Sequence, residues 1–221
     1  MNWTIPNILT FLRLLAAPGV AVMFLYFHRP WADWFALTLF VSAAITDYFD
    51  GYLARLWKQE SKFGAMLDPI ADKAMVVIAI MVITGYSGMN PWLILPATVI
   101  LFREVFVSGL REFLGAKAGT LQVTKLAKWK TTAQMVAIAV LFLGTGLDYL
   151  NGVAAQGMTP ELYKDAVKAG LVDPTRTCFK RDCASIASDA GLVLIWIAGL
   201  LTLVTGWDYF TKALPFLKDD R

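Results

Sequence analysis

The chain has little of the chemistry that metal sites and secreted scaffolds use, with two cysteines and one histidine among 221 residues. Its charged fraction is 17%, whereas a typical globular domain has about 25%. So few Cys and His residues argue against a zinc site and against a disulfide-stapled miniprotein. The low charge and high apolar content argue against a disordered chain and against a nucleic-acid-binding module.

Apolar residues are abundant instead, at 57% of the chain, and the mean hydropathy is +0.57. Six apolar stretches are each long enough to cross a hydrocarbon core of about 30 Å. They are Ile8–Phe27, Trp31–Ala54, Phe63–Tyr86, Pro91–Leu114, Lys128–Leu147 and Asp189–Leu214. The pattern predicts an all-α integral membrane protein, in which residues 1–221 form one bundle of six transmembrane helices.

Basic residues lie mainly on one side of this predicted topology. One set of short loops and ends carries Arg55, Lys58, Lys62, Arg111, Lys117, Lys125, Lys128, Lys130, Lys212, Lys218 and Arg221. The opposite short loops carry only Arg29. By the positive-inside rule, both termini face the cytoplasm, and residues 148–188 form an outside loop between spans five and six.

The two cysteines, Cys178 and Cys183, both fall in this predicted outside loop. They are either two free thiols or a disulfide formed in an oxidising periplasm. The sequence leaves both alternatives open.

Four aspartates interrupt the second and third spans: Asp47, Asp50, Asp68 and Asp72. An Asp at the centre of a membrane helix costs about 2.5–3.5 kcal/mol on insertion scales. Four such residues require compensation, so we expect them to face the bundle interior and to form a functional site.

Helical spacing groups these acids with small and basic neighbours. At about 100° per residue, one face of the second span carries Asp47, Asp50, Gly51, Ala54 and Arg55. On the third span Asp68 and Asp72 are one turn apart, and Gly64 precedes them by another turn. A short connection makes the two spans antiparallel, which places both acid pairs near the cytoplasmic end.

Carboxylates held this close repel one another unless a cation lies between them. Oxygen ligands without His or Cys favour Mg²⁺ or Mn²⁺. The alternative is a set of salt bridges with Arg55, Lys58 and Lys62.

In order, these residues read Asp47-x-x-Asp50-Gly51-x-x-Ala54-Arg55, then eight residues, then Gly64-x-x-x-Asp68-x-x-x-Asp72. This pattern resembles the signature of the CDP-alcohol phosphotransferase family at every defining position. The resemblance implies transfer of a phosphatidyl or similar group from a CDP-linked lipid to an alcohol, with release of CMP. It also implies a six-helix bundle that forms a homodimer, with its active site open to the cytoplasm.

The resemblance further implies roles for individual residues. The four aspartates would hold two divalent ions, Mg²⁺ or Mn²⁺, and Asp72 would also act as the general base. CDP-diacylglycerol would be bound by Asn7, Gly51, Ala54, Arg55, Ser61 and Gly64.

Several shorter motifs resemble one branch of the family, in which glycerol 3-phosphate is the acceptor. They are Ile5-Pro6-Asn7-Ile8 with Thr10 and Arg13, Arg103-Glu104, Leu110-Arg111-Glu112, Lys128-Trp129-Lys130-Thr131-x-x-Gln134 and Thr205-Gly206-Trp207-Asp208-Tyr209. The branch implies a multi-pass protein of the bacterial inner membrane that works on membrane lipid.

Cations near the predicted cytoplasmic end favour an anionic acceptor. Its phosphate would be bound by Arg103, Arg111, Lys125 and Lys128. The alternative for the lysines, Lys117 and Lys130 included, is a topology signal only, and the alternative for Arg103 is an ion pair with Glu104. Serine or inositol phosphate are the rival acceptors, and a cation transporter is the rival of another class.

Overall fold

The computed structural model describes residues 5–29, 31–57, 61–115, 125–155, 165, 168–170 and 174–217. Six long helices are described, which we number α1 to α6. They are Ile5–Tyr26, Trp31–Trp57, Lys62–Tyr86, Pro91–Leu114, Lys125–Ala155 and Pro174–Leu217. No strand occurs in the described part of the chain, and the predicted all-α class is confirmed.

Local sequence signals explain where α4 begins and ends. Its N-cap is Asn90, whose side-chain oxygen accepts a hydrogen bond of 3.0 Å from the Trp92 backbone N–H. Pro91 follows at the first helical position, where the missing N–H costs nothing. The helix stops at Gly115, whose positive φ of 49° suits a residue without a Cβ.

Aromatic rings lie at the centre of the hydrophobic core. The Phe142 ring from α5 lies 5.9 Å from the Phe24 ring of α1 and 5.7 Å from the Phe40 ring of α2, measured between centroids. All three residues are buried, as are Met75 of α3 and Ile195 of α6. With Ile100 of α4, side chains from all six helices share one core.

Two glycines let α5 and α6 pack closely. A Cβ at Gly191 would lie 2.7 Å from Leu141 Cδ2, and one at Gly144 would lie 3.0 Å from Ser188 Oγ. Small residues at such crossings allow membrane helices to pack backbone against backbone. This contact fixes α6 against α5.

The outer surface of the bundle is apolar, as expected for a lipid-facing protein. On α4, for example, Phe102, Val105 and Phe113 are all exposed. Four described segments are long and apolar enough to cross a membrane, namely Asn7–Tyr26, Pro91–Leu114, Trp129–Asp148 and Cys183–Leu217. The remaining two long helices, α2 and α3, have 27 and 25 residues and carry the predicted acids.

The structure corrects the extent of the predicted outside loop at residues 148–188. The helix α5 continues to Ala155, and α6 begins at Pro174, so both ends of that segment are helical. Apolar content marks only the part of a helix that lies in the membrane core, and a helix can continue beyond it through polar residues.

The same correction decides between the two alternatives for the cysteines. Cys178 and Cys183 lie five residues apart on α6, which separates them by about 7.5 Å along the helix axis alone. A disulfide needs Cα atoms within about 7 Å. Cys183 is a free thiol, and the disulfide alternative is wrong for this helix; the side chain of Cys178 lies outside the described residues.

Candidate active site

A buried arginine from α1 lies among the predicted acids. The Arg13 guanidinium contacts Asp47 of α2, and its nitrogens lie 3.3 Å from the Oδ1 atoms of Asp68 and Asp72 of α3. The Arg13 side chain is 2% exposed, whereas the three carboxylates are 45%, 49% and 48% exposed. Three helices therefore bring their charges to one point, and the acids keep an open side.

The α1 helix supplies a second contact to the same group. The Thr10 hydroxyl donates a hydrogen bond of 2.8 Å to Asp68 Oδ1. Thr10 and Arg13 are three residues apart, so they lie on the same face of the helix. Both positions belong to the branch motif near the start of the chain, Ile5-Pro6-Asn7-Ile8 with Thr10 and Arg13.

Three of the residues predicted to bind the CDP-linked substrate form a cluster beside the acids. The Ser61 hydroxyl donates to Asn7 Oδ1 over 2.7 Å, and the Gly64 backbone N–H donates to Ser61 Oγ over 2.9 Å. A Cβ at Gly64 would lie 2.8 Å from Asn7 Oδ1. Ser61 is also the N-cap of α3, so the start of α3 is fixed against the start of α1.

The remaining residues of the predicted signature lie on the last turns of α2. Asp50, Gly51, Ala54 and Arg55 are helical, which agrees with their predicted common face. Their side chains lie outside the described residues, and their predicted roles stay predictions.

A cavity of about 680 Å³ connects the acids to the basic residues of α4 and α5. Asp47 and Asp72 lie on one side of it. Arg103, Arg111 and Lys130 lie on its other wall. Lys73, Glu104 and Asp208 line it as well, so charged groups of both signs share one cavity.

Glu104 organises the cationic wall. Its Oε1 atom accepts from Arg103 Nη1 over 3.1 Å and also from the Lys130 ammonium group. Lys73 of α3 donates over 2.5 Å to the Ser108 hydroxyl, which in turn donates to the Glu104 carbonyl oxygen. The ion pair predicted as the alternative for Arg103 is therefore present, and Arg103 lines the cavity as well.

Arg111 lies on the same wall of the cavity, about two helical turns after Arg103 on α4. Its guanidinium carbon is 5.8 Å from the centre of the Tyr209 ring of α6, within range of a cation–π contact. Lys125 and Lys128 are in the first turn of α5; their side chains lie outside the described residues.

The donor set fits a divalent cation. Among the described side chains, no three Asp, Glu, His or Cys residues form a ready-made metal cluster, and the Arg13 guanidinium lies between the acids instead. All three acids nevertheless converge on one positive group and offer only oxygen atoms, and Asp47 and Asp72 line the cavity. Such a set suits Mg²⁺ or Mn²⁺ better than zinc.

Sequence reasoning missed three features of this site. Arg13 was identified only as part of a branch motif, and Glu104 only as the alternative partner of Arg103. Lys130 was interpreted equally as a topology signal and as a site residue. The structure buries Arg13 and Lys130 at 3% and 4% exposure. The available signal was their position: each is a cation within an apolar helix, where a charge is costly without a partner.

These features define a membrane protein with several spanning helices. Its cavity is lined by carboxylates, which can bind cations, and by Arg and Lys side chains, which can bind anionic groups. Residues 3–162 match the family model described as CDP-alcohol phosphatidyltransferase. The chain therefore belongs to the CDP-alcohol phosphatidyltransferase family, as the signature predicted.

Curated relatives carry one name, CDP-diacylglycerol–glycerol-3-phosphate 3-phosphatidyltransferase. The protein of that name from Cereibacter sphaeroides is 79% identical over 221 residues, which is the whole of both chains. The one from Shigella flexneri serotype 5b is 37% identical over 184 residues, covering 78% of this chain and all of the relative. The one from Salmonella choleraesuis is 43% identical over 143 residues, covering 64% of this chain and 78% of the relative.

Proposed function

We propose that this membrane protein transfers the phosphatidyl group of CDP-diacylglycerol to glycerol 3-phosphate, giving phosphatidylglycerol phosphate and CMP. The observation that carries the proposal is one cavity lined by Asp47 and Asp72 of α2 and α3 and by Arg103, Arg111 and Lys130 of α4 and α5. A diphosphate donor and a phosphorylated acceptor both need such charges, and transfer requires that they meet. The naming of the full-length relative at 79% identity supports the same reaction.

The acid end is proposed to hold two divalent ions, Mg²⁺ or Mn²⁺, through Asp47, Asp50, Asp68 and Asp72. When bound, the ions would neutralise the donor diphosphate and stabilise the charge that builds up during transfer. Arg13 holds three of these carboxylates together from the side of α1. Phosphoryl transfer depends mainly on such positioning and charge stabilisation.

The donor is proposed to bind beside the start of α1 and α3. The cluster of Asn7, Ser61 and Gly64 lies at this point, where the missing Cβ of Gly64 lets Asn7 Oδ1 approach the start of α3. Gly51, Ala54 and Arg55 would continue this surface along α2, with Arg55 pairing a phosphate of the nucleotide. The lipid tails would extend into the membrane.

The chemical step assigned to this chain is a proton transfer at Asp72. Its carboxylate would take the proton of the terminal hydroxyl of glycerol 3-phosphate, as a general base within hydrogen-bond reach. The hydroxyl oxygen then forms a bond to the phosphorus that carries diacylglycerol. The bond from that phosphorus to the CMP oxygen breaks, and CMP leaves with the electron pair.

The acceptor phosphate is assigned to Arg103, Arg111 and Lys130, with Lys125 and Lys128 nearby in the first turn of α5. Arg suits this role because its planar fork can donate two hydrogen bonds to one phosphate. Serine carries no phosphate, so these cations would not contribute to its binding. Inositol phosphate has one, and it remains the rival acceptor.

The proposed setting is the inner membrane of a bacterium. The proposed orientation puts both termini and the cavity on the cytoplasmic side, where glycerol 3-phosphate is dissolved. We also propose a homodimer, as the family resemblance implies.

The decisive experiment is an acceptor panel on the purified protein. CMP release is measured with CDP-diacylglycerol and Mg²⁺ in the presence of glycerol 3-phosphate, inositol phosphate, serine or glycerol. Glycerol 3-phosphate should be the best acceptor, and chelation of the metal should abolish release until Mg²⁺ or Mn²⁺ is returned. Faster turnover with inositol phosphate or serine would overturn the acceptor but leave the metal-dependent transfer in place.

A further inference from the structure

Three polar atoms on the cavity walls are buried without a hydrogen-bond partner among the described residues: Gln134 Nε2, Tyr209 Oη and Arg103 Nε. Gln134 is 2% exposed and Tyr209 is 8% exposed. Nearly all such groups in folded proteins are paired, because an unmet buried donor is destabilising. All three residues line the cavity, so a ligand bound there is the natural source of the missing partners.

Gln134 and Tyr209 lie next to the residues proposed to bind the phosphate, and they continue the polar lining beyond those residues. Gln134 follows Lys130 by one turn on the same face of α5, further from the start of the helix. Tyr209 of α6 holds its ring against Arg111. At Gly206, one turn before Tyr209, a Cβ would lie 3.0 Å from Arg103 Cγ, so that glycine lets Arg103 pack against α6.

A phosphate alone does not account for this arrangement. The amide of Gln134 and the hydroxyl of Tyr209 are neutral, and each can both donate and accept, as pairing with a hydroxyl requires. Glycerol 3-phosphate has one hydroxyl that neither carries the phosphate nor reacts, on its middle carbon. That hydroxyl must lie between the phosphate-binding cations and Asp72.

We propose that Gln134 and Tyr209 bind the middle hydroxyl of the acceptor and thereby determine its specificity. The inference rests on the proposed function and adds to it a reason for selecting a vicinal diol phosphate. Gln134 Nε2 would donate to the hydroxyl oxygen, and Tyr209 Oη would accept from it or donate to it. Neither residue takes part in the chemical step.

The test compares two acceptors that differ by this hydroxyl, glycerol 3-phosphate and 3-hydroxypropyl phosphate. A buried hydrogen-bonding pair left unmet should lower kcat/KM for the deoxy compound by about 5- to 150-fold. Tyr209→Phe and Gln134→Leu should each lower kcat/KM for glycerol 3-phosphate and leave that for 3-hydroxypropyl phosphate nearly unchanged. The preference should therefore shrink in both variants.

Tyr86→Phe is the matched control, because the Tyr86 hydroxyl donates to the Phe24 carbonyl over 2.9 Å and does not line the cavity. It should keep the full preference. Tyr209→Phe removes a hydroxyl without a described partner, so its melting temperature should not fall, which keeps the test valid even if Gln134→Leu fails to fold.

Two results would overturn the inference in distinguishable ways. If the parent uses both acceptors equally, or if its preference survives in Tyr209→Phe and in folded Gln134→Leu, the hydroxyl-binding role is wrong while the proposed function stands. If the parent uses neither compound but accepts serine or inositol phosphate, the proposed function fails and this inference fails with it.

Discussion

Two arginines, one buried and one partly exposed, are held by acids in different ways. Arg29, between α1 and α2, donates to both oxygens of Asp33 over 2.8 and 2.5 Å and to the Thr145 carbonyl oxygen over 3.0 Å. The Asp33 side chain is 1% exposed, so this carboxylate is closed to ligands. Arg13 contacts three acids that are each nearly half exposed, and two of them, Asp47 and Asp72, line the cavity.

The difference separates a structural ion pair from a site. In the Arg29 pair both carboxylate oxygens of Asp33 already accept hydrogen bonds. The pair therefore links α2 to α5 and offers no free acceptor to a ligand. Around Arg13 the three described carboxylates outnumber the cation, which leaves a net negative charge and free lone pairs facing the cavity. An excess of negative charge beside open space is a better sign of ligand binding than burial alone.

The largest effect should come from Asp72→Asn, which removes the proposed base from the open cluster. A positioned general base contributes about 10²- to 10⁴-fold, and the loss of a metal ligand adds to that. We expect CMP release to fall by at least this factor while the melting temperature stays close to that of the parent. Asp33→Asn is the control, since it should lower the melting temperature and spare turnover per folded molecule. Substantial turnover in Asp72→Asn would remove the base assignment.

Arg29→Gln should produce the opposite signature. It leaves the enclosed Asp33 carboxylate without its partner, which costs about 3–5 kcal/mol for a buried pair. A drop in melting temperature on the order of 10 °C follows for a chain of this size. The folded fraction should keep its kcat/KM, measured by CMP release below the transition. Arg29→Lys restores the charge but not the fork and should be intermediate; unchanged stability in Arg29→Gln would contradict the structural role.

Arg111→Ala tests the cationic wall of the cavity. A charge-assisted hydrogen bond is worth about 1.5–3 kcal/mol, so the KM for glycerol 3-phosphate should rise roughly 10- to 150-fold. The KM for CDP-diacylglycerol should change little, and Arg111→Lys should recover part of the loss. Steady-state kinetics with each substrate varied in turn measures both. An unchanged acceptor KM and kcat would exclude Arg111 from the site.

Arg13→Gln should increase the protein's response to metal. Without the guanidinium, the acids repel one another until a divalent ion binds, so Mg²⁺ binds more tightly and stabilises the folded state more. A tenfold gain in affinity adds about 1.4 kcal/mol, or about 3–5 °C in the melting temperature. Thermal denaturation with and without Mg²⁺ measures the shift in melting temperature. Arg29→Gln leaves Arg13 and its three acids unchanged, so its melting temperature should respond to Mg²⁺ as that of the parent does. A smaller shift in Arg13→Gln than in the parent would show that Arg13 helps to form the metal site rather than to balance its charge.

The contrast between the two arginines also shows how far the sequence could predict the site. The spacing of Asp47, Asp68 and Asp72 predicted a paired set of acids on α2 and α3, because local helical periodicity fixes which residues share a face. Arg13 lies 55 residues before Asp68, and only the packing of α1 onto α3 brings them together. No local pattern encodes that register.

The cationic wall was predicted only in part for a related reason. A lysine near a membrane boundary satisfies the positive-inside rule whether or not it faces a cavity. The sequence therefore could not separate Lys130, which reaches Glu104, from lysines that only set topology. Helix ends escaped prediction as well, because α5 and α6 continue through polar residues beyond their apolar stretches.

The smallest effect should come from the two thiols, which lie far from both ion-pair clusters along the chain. Because Cys178 and Cys183 sit on one continuous helix, at a separation too long for a disulfide, the unreduced protein should take up two equivalents of alkylating reagent after denaturation. Intact-mass measurement reads this directly. Cys183→Ser should leave the melting temperature and kcat/KM unchanged within error, since no bond is lost. A mass two units lower with no alkylation would mean that α6 unwinds between these residues, and the helical extension of α6 before the membrane would then be wrong.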